Sequence, residues 1–364
     1  MAGRYDPLTR TAIRGGRTTV PPAPTPGTPP GTGTAPGAAT GTGTGKAAGP
    51  GPRTRTWTPP GPLDLGLVLG PLRRGPADPT FRITPGTVWR ATRTPAGPAT
   101  LRVTQDGAGP GVTATAWGPG ADWILDGLPD LLGAADDPAA FVPRHRLVHA
   151  SHRRRPGLRL TRTGLVLESL IPTVLEQKVT ADEAYRAWRR LVRQYGEPAP
   201  GTGTGTETDT GQTPAPDLYV MPDPRTWALI PSWDWHKAGV DAKRSATIVR
   251  AARSAARLEE AAAMDLSAAT ARLEAIPGIG PWTSSETLQR SNGAADAVTT
   301  GDLHLPGIIG YALAGDRDAD DAAMLELLAP YAGQRHRAAR LVLLAGTAPP
   351  RRAPRMPRGD IGRL

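Results

Sequence analysis

The segment from Leu273 to Thr283 constrains the fold most, because one helix must end and a second must begin within it. Its sequence is Leu-Glu-Ala-Ile-Pro-Gly-Ile-Gly-Pro-Trp-Thr. Gly278 and Gly280 can adopt positive φ, and Pro281 suits the first turn of the following helix. The backbone N–H groups at that helix start can bind one phosphate. The segment predicts a tight turn between two helices, which either binds an anion or serves packing alone.

Hydrophobic periodicity on either side of this turn indicates two kinds of structure. Between Leu63 and Trp117, short alternating runs separated by Pro and Gly are typical of antiparallel strands. From Gly164 onward, most apolar residues fall at helical spacing. The predicted fold class is α+β, with a small antiparallel β-sheet domain at the N-terminus followed by an all-helical domain.

Composition sets the predicted domain boundaries. The chain has 44 Gly and 41 Pro, both above average use, and they concentrate in stretches that lack large apolar residues. Such stretches bury too little surface to offset the entropy of ordering the chain. We predict a disordered tail over 1–56, a strand-rich domain over 57–145, a helical domain over 146–350 with a disordered insert at 197–216, and a basic tail over 351–364.

Charge and residue usage narrow the function classes. The formal net charge of +10 indicates a polyanionic partner such as DNA, or an Arg-rich proteome. The absence of cysteine excludes disulfides, thiolate zinc sites, iron–sulfur clusters and cysteine nucleophiles. His145, His149 and His152 lie among arginines that oppose a bound cation, so we predict neither a metal nor a cofactor. With no apolar leader or membrane-length apolar run, the expected location is the cytoplasm, in association with the nucleoid.

Asp302 follows the turn by about twenty residues, in the segment Asp296-Ala-Val-Thr-Thr-Gly-Asp-Leu-His. Turn and segment together resemble the helix-hairpin-helix DNA glycosylase superfamily, and within it the 3-methyladenine DNA glycosylase II branch. Upstream, residues 170–180 look like the glutamine-containing helix end of that family, and residues 157–160 resemble the start of its helical domain. The resemblance spans roughly residues 63–346.

The resemblance implies that Asp302 is the catalytic carboxylate. Breaking the bond between base and deoxyribose develops positive charge on the sugar, which a nearby carboxylate stabilises, and the same group can orient the attacking water. Without the turn at this distance, Asp302 is more typical of a helix N-cap, and the turn shifts the interpretation toward catalysis. The resemblance also assigns DNA-phosphate contact to the turn residues Pro277, Gly278, Ile279, Gly280 and Thr283.

The remaining predicted site residues follow from the same resemblance. Trp282, Glu286 and Leu343 are expected in the base pocket, although Trp282 also suits ordinary core packing. Gln177 and Lys178 are expected to contact DNA. Trp282 stands where bifunctional relatives carry a Schiff-base lysine, which implies a monofunctional enzyme.

The function predicted from these residues is a monofunctional N-glycosylase. It would flip alkylated purines such as 3-methyladenine out of double-stranded DNA as a monomer, excise them and leave an abasic site. The alternatives are a catalytically silent DNA-binding protein and an oxidised-base glycosylase.

Overall fold

The structure is a computed structural model that describes residues 51–105, 111–201 and 217–350. Most of the predicted N-terminal tail, most of the predicted insert and the whole of the predicted C-terminal tail lie outside the described residues. Across the three described stretches, no helix combines the length and the apolar character needed to cross a membrane.

The first part of the chain forms an antiparallel sheet with short helices on one face. Its elements are β1 (Arg53–Trp57), α1 (Leu65–Leu69), β2 (Phe81–Thr84), β3 (Thr87–Thr94), β4 (Gly97–Gln105), β5 (Val112–Trp117), α2 (Ala121–Asp126) and α3 (Leu128–Leu131). The strand order is β1-β5-β4-β3-β2, with every neighbouring pair antiparallel. Because successive side chains alternate between faces, Val88, Leu101 and Val103 pack against the short helices. The strand-rich prediction for this region is confirmed.

Strand β1 corrects the predicted boundary of the N-terminal tail. The tail was expected to extend to residue 56, yet Arg53–Trp57 pair with β5 in register from Arg53 opposite Ala116 to Trp57 opposite Val112. Arg55 also donates to the backbone carbonyl of Leu125 at 2.8 Å. The composition argument failed here because an edge strand takes its hydrogen bonds and its apolar support from the strand beside it.

The second part is helical apart from one small ribbon. Its elements are α4 (Arg146–Arg153), α5 (Val166–Leu175), α6 (Ala181–Tyr195), β6 (Glu197–Pro198), β7 (Tyr219–Val220), α7 (Pro224–Leu229), α8 (Ser232–Lys237), α9 (Ala242–Arg253), α10 (Ala255–Glu259), α11 (Leu266–Glu274), α12 (Pro281–Ser291), α13 (Leu305–Ala314), α14 (Asp321–Leu328) and α15 (Arg335–Ala345).

The β6–β7 ribbon corrects the prediction that the insert is structureless from residue 197. Glu197 pairs with Val220 and Pro198 pairs with Tyr219, so the two ends of the insert hold each other. Leu218 and Val220 then pack with Trp89 on the second face of the N-terminal sheet. The ribbon forms because that sheet face is apolar and gains from being covered.

Helix α12 packs on one core and faces a second across a small cavity. On one side Leu288 joins the cluster built around α5, whose residues from Val166 to Leu175 are buried at every position except Glu168. On the other side a second cluster joins α4, α13, α14 and α15. The candidate site residues from 277 to 343 therefore sit on elements fixed by two separate sets of apolar contacts.

Candidate nucleic-acid interface and active site

The turn between α11 and α12, residues 275–280, is called the hairpin below. Gly278 has φ of +100°, a conformation that favours glycine, and a Cβ there would lie 2.1 Å from the Thr247 hydroxyl. Ile279 is buried in the core around α5, whereas Pro277 and Gly278 are exposed. Ile279 thus anchors the hairpin while the residues before it face solvent.

The start of α12 leaves backbone donors free. Pro281 occupies the first helical position, and the first helical bond of α12 runs from the N–H of Ser284 to the carbonyl of Gly280 at 2.9 Å. Within the described part of the chain, the N–H groups of Gly278, Gly280 and Trp282 donate to no other group. Free N–H groups at the positive end of a helix are suited to bind an anion.

Two neighbouring elements hold the hairpin from behind. Gln177, after α5, donates from Nε2 to the carbonyl of Gly278 at 3.0 Å and to the hydroxyl of Thr283 at 2.8 Å. Arg250 of α9 donates to the carbonyl of Pro277 at 2.9 Å. Thr283, expected to contact phosphate, is buried and directs its hydroxyl to Gln177. Its place indicates that it supports the hairpin from inside.

Lys178 lies next to this support and is exposed. Its φ of +56° makes it the one non-glycine residue with positive φ among the residues that the structure describes. A side chain in this left-handed conformation carries a backbone cost of roughly 1 kcal/mol. The loop that Gln177 ties to the hairpin therefore also carries an exposed lysine, in the position directly after Gln177.

Asp302 is half-buried in the turn that precedes α13. Its Oδ1 accepts from the backbone N–H groups of His304 at 2.8 Å and Leu305 at 2.9 Å. Its Oδ2 accepts from Trp282 Nε1 at 2.9 Å. Both interpretations of Asp302 thus have geometric support: it holds the start of α13 as a cap does, and its carboxylate is fixed at a partly open position beside α12.

Trp282 is half-buried and meets Asp302 through its indole N–H. It was predicted to line a base pocket, but it is not among the residues around the cavity between α12 and α15. An indole N–H that is partly desolvated needs an acceptor, and Oδ2 of Asp302 supplies one. The structure therefore assigns Trp282 a contact that orients the candidate catalytic carboxylate.

A small cavity separates α12 from α15, and it brings together two of the three residues predicted for a base pocket. Glu286 and Leu343 both line it, with Leu305 at the side nearest Asp302. The complete lining is Glu286, Gln289, Ala297, Val298, Thr299, Leu305, His336, Ala339, Arg340 and Leu343. In its present form the cavity has room for about one water molecule.

Glu286 belongs to a buried network of charged and polar side chains. One carboxylate oxygen accepts from Arg290 Nη1 at 2.8 Å, and the other accepts from the Thr299 hydroxyl at 2.8 Å. Gln289 donates to that hydroxyl at 2.9 Å, and Arg290 donates to the carbonyl of Pro71 at 2.9 Å. A buried carboxylate of this kind is retained only with such partners.

The sequence interpretation missed the contribution of α15 to this cavity. His336 and Arg340, one turn apart, are 7% exposed and face it. Burial and the nearby guanidinium groups of Arg340, Arg290 and Arg337 hold the pKa of His336 well below its usual value, so its imidazole is neutral. The signal available in the sequence was the spacing of four residues between Glu286 and Arg290 and between His336 and Arg340. That these two pairs lie around one cavity depends on long-range packing.

Comparison with known proteins supports the fold at low sequence similarity. Neither a protein-family model nor a curated protein sequence matches the chain. Among solved structures, the chain is similar to 3-methyladenine DNA glycosylase from Archaeoglobus fulgidus, at 15% identity and a TM-score of 0.62 over 80% of this chain and 98% of that one. It is also similar to 8-oxoguanine glycosylase/lyase from Clostridium acetobutylicum in complex with double-stranded DNA, at 11% identity and a TM-score of 0.59 over 78% and 91%. The chain therefore has the α+β fold of the helix-hairpin-helix DNA glycosylases.

Proposed function

We propose that this protein is a monofunctional DNA N-glycosylase that takes a damaged purine out of double-stranded DNA and hydrolyses its glycosidic bond with Asp302. The observation that carries the proposal is the Asp302 carboxylate, fixed by Trp282 and by two backbone N–H groups at a partly open position beside the hairpin. The similarity to solved DNA glycosylases supports the same class of reaction.

The chemistry assigned to Asp302 is electrostatic. As the bond to the base lengthens, positive charge grows on the sugar, and a fixed carboxylate stabilises it without having to reorganise. The same carboxylate orients a water molecule toward the anomeric carbon and accepts its proton as the new C–O bond forms. The electron pair of the broken bond leaves with the base, and the sugar keeps a hydroxyl group as an abasic site.

The hairpin supplies the grip on the DNA. Its free N–H groups at the start of α12 bind one backbone phosphate, and the exposed Lys178, which follows the hairpin-bound Gln177, contributes a positive charge to the same surface. Binding of this kind carries no sequence information, which suits an enzyme that acts on lesions in any sequence. A flipped base would then enter the cavity between α12 and α15 after the side chains at its mouth, Leu343 among them, turn aside.

The lysine content supports a reaction without strand cleavage. A glycosylase that also cuts the strand uses an amine to form a Schiff base with the sugar. The chain has four lysines, and none lies between residues 244 and 364, the last third of the chain, which holds α12 and α13. Trp282 occupies the position after the hairpin where the resemblance would place such a lysine.

Alkylated purines are the substrate class that the sequence resemblance favours. Alkylation weakens the glycosidic bond, so one carboxylate without a dedicated general acid is sufficient for their release. The second candidate function is a silent DNA-binding protein, and the observation that favours it is the capping contact from Asp302 to the start of α13.

Base release by wild type and Asp302→Asn distinguishes these functions. Asparagine keeps a side-chain oxygen for the N–H groups of His304 and Leu305, so the cap survives while the charge is lost. Asp320→Asn is the matched control, because Asp320 caps α14 through the N–H of Ala323 at 2.9 Å. Free base released from alkylated duplex DNA is measured, with binding to abasic-site DNA as the test of folding.

The proposal expects release by wild type and by Asp320→Asn, and a rate lower by at least ~100-fold for Asp302→Asn with binding retained. Equal release by both variants would remove Asp302 from the chemistry. Absence of release by wild type, with binding intact, would favour the silent protein. Borohydride trapping of a covalent complex would contradict the monofunctional mechanism.

A further inference from the structure

Helix α4 exposes a surface of basic side chains. Three of them are spaced by three and four positions, which places them on one side of the helix, and all three are exposed: Arg146, His149 and Arg153. Arg144 and Arg154 are exposed just before and just after the helix. These five residues are called the α4 basic face below. No exposed position of α4 carries an apolar side chain, so its outer side is polar throughout.

The arginines of this face have no acidic partner. Among the described residues, no carboxylate forms an ion pair with Arg144, Arg146, Arg153 or Arg154. The two aspartates that precede α4 in the chain are engaged elsewhere, Asp136 in a buried ion pair with Arg337 and Asp137 by two backbone N–H groups. Arg53 and Arg193, which are also exposed, are each paired with an aspartate. The positive charge of the α4 basic face is therefore not neutralised within the described part of the chain.

The stability of α4 does not account for the basic residues at its start. Arg146 occupies the first helical position and Arg144 lies just before it, and the first turn contains no acidic residue. The N-terminal end of a helix carries a partial positive charge, which repels cations. These two arginines therefore oppose the dipole of the helix that carries them, and a partner outside the helix is needed to explain their charge.

Hydrogen bonds at both ends hold α4 against the last part of the chain. At its start, the backbone N–H of His145 donates to the hydroxyl of Tyr331, which precedes α15, at 2.9 Å. Near its end, Oγ of Ser151 donates to the carbonyl of Leu341, in the second half of α15, at 2.6 Å. Helix α4 therefore runs beside α15 in the same direction, and its C-terminal end lies toward Leu343 of the cavity wall. The basic side chains are displayed on a fixed helix, so a ligand does not have to order their backbone.

The chemistry of this face matches a row of phosphates. A guanidinium group binds a phosphate through two parallel hydrogen bonds, and Arg146 and Arg153 are separated by about 10 Å of helix rise. Duplex DNA carries one negative charge for about every 1.7 Å of its axis, so the face can contact more than one phosphate. A protein partner would need apolar or aromatic anchors at the centre of the contact, and the exposed side of α4 has none.

We infer that the α4 basic face is a second phosphate-binding surface, which holds duplex DNA outside the site where the hairpin and Asp302 act. The inference rests on the DNA binding of the proposed function and adds a contact that does not require a flipped base. Phosphate contacts carry no information about sequence or lesion. This surface would therefore bind undamaged DNA and keep the protein on the duplex between lesions.

The salt dependence of DNA binding tests the inference. The full chain and its Arg146→Gln/Arg153→Gln variant are titrated with undamaged duplex DNA at several salt concentrations. We expect the variant to bind at least ~10-fold more weakly at low salt, and its slope of log affinity against log salt to be shallower by about two. Arg146→Lys/Arg153→Lys retains both charges and should restore most of the slope. Because Arg146 opposes the helix dipole and Arg153 favours it, the midpoint of urea unfolding should stay close to that of wild type.

Arg225→Gln/Arg257→Gln is the matched control. It removes the same net charge at exposed arginines of α7 and α10 that also have no ion pair among the described residues, and it should leave the slope unchanged. Three results would overturn the inference. Wild-type binding by the α4 variant would leave the face to an acidic protein partner, an equal loss in the control would show that only total charge matters, and a parallel loss of stability would assign the two arginines a structural role.

Failure of this inference and failure of the proposed function give different results. If the protein binds DNA without being a glycosylase, wild type releases no base in the Asp302 experiment, yet the α4 variant still loses affinity. If only the inference fails, base release depends on Asp302 and the α4 variant binds undamaged DNA as wild type does.

Discussion

The two ends of α12 are built on different principles. At its N-terminal end the hairpin is held by Gln177 and Arg250, which bind its carbonyl groups and leave backbone N–H groups free. Further along, Glu286 and Arg290 form a buried ion pair. The hairpin end depends on the shape of the backbone, whereas the cavity end depends on the balance of buried charge. One helix therefore joins a part that tolerates changes of charge to a part that does not.

Removal of the Glu286 charge at the cavity end should have the largest effect on the free energy of unfolding. Glu286→Gln removes the carboxylate that pairs with the buried guanidinium of Arg290, and we expect the free energy of unfolding in urea to fall by about 3 kcal/mol. Glu260→Gln is the control, because the Arg272–Glu260 pair is exposed and should contribute less than about 1 kcal/mol. Similar losses of stability in Glu286→Gln and Glu260→Gln would contradict the distinction between the buried and the exposed ion pair. Adding Arg290→Met to Glu286→Gln should recover part of the loss.

A change of backbone shape should matter most at the hairpin end. Gly278→Ala places a Cβ 2.1 Å from the Thr247 hydroxyl at a positive φ, so we expect a loss of about 2 kcal/mol in the free energy of unfolding and weaker DNA binding. Gly280→Ala meets nothing within 4 Å and has φ of −121°, so its stability should change by less than about 1 kcal/mol. Equal losses in the two variants would show that space and φ do not govern this end.

The free energy of unfolding should depend on pH because His336 is buried at the cavity end of α12. His336 has a lowered pKa when folded, so below about pH 6.5 the unfolded chain binds a proton that the folded chain does not. Its contribution to stability is present above that pH and is lost as the pH falls, at up to about 1.4 kcal/mol per pH unit. Urea unfolding of wild type and His336→Gln from pH 7 to pH 5 measures it. Parallel pH profiles would contradict the assignment.

The smallest expected effect lies beside the hairpin. Lys178→Gly relieves the left-handed backbone and should raise the free energy of unfolding by about 0.5 kcal/mol, while the dependence of log affinity for DNA on log salt should become shallower by about one. Lys178→Arg keeps the charge and should change neither quantity. A steeper or unchanged salt dependence in Lys178→Gly would show that the ammonium does not contact phosphate.

The sequence predicted what depends on local pattern. The turn at Gly278 follows from residue types that allow few backbone conformations, and the strand-rich and helical parts follow from periodicity. Edge strand β1 was missed because its stability comes from β5, whose paired residues lie 55 to 63 positions further along the chain. Short-range propensity does not carry that information.

The candidate site shows the same limit. Asp302 and Glu286 were proposed as site residues through a resemblance, but the contact from Trp282 to Asp302 was not predicted, since the indole was assigned to the pocket. His336 and Arg340 gave no sequence signal strong enough to single them out. Their importance arises from long-range folding, which places α15 across the same cavity from Glu286 of α12.

Leu305 links the two tasks of the candidate active site. Its backbone N–H holds Oδ1 of Asp302 at 2.9 Å, and its side chain forms part of the cavity wall. Under the proposed function, a base that enters this cavity would contact the same residue that holds the Asp302 carboxylate in place. A lesion of the wrong shape would then displace Leu305 and, with it, the carboxylate that is proposed to act on the sugar.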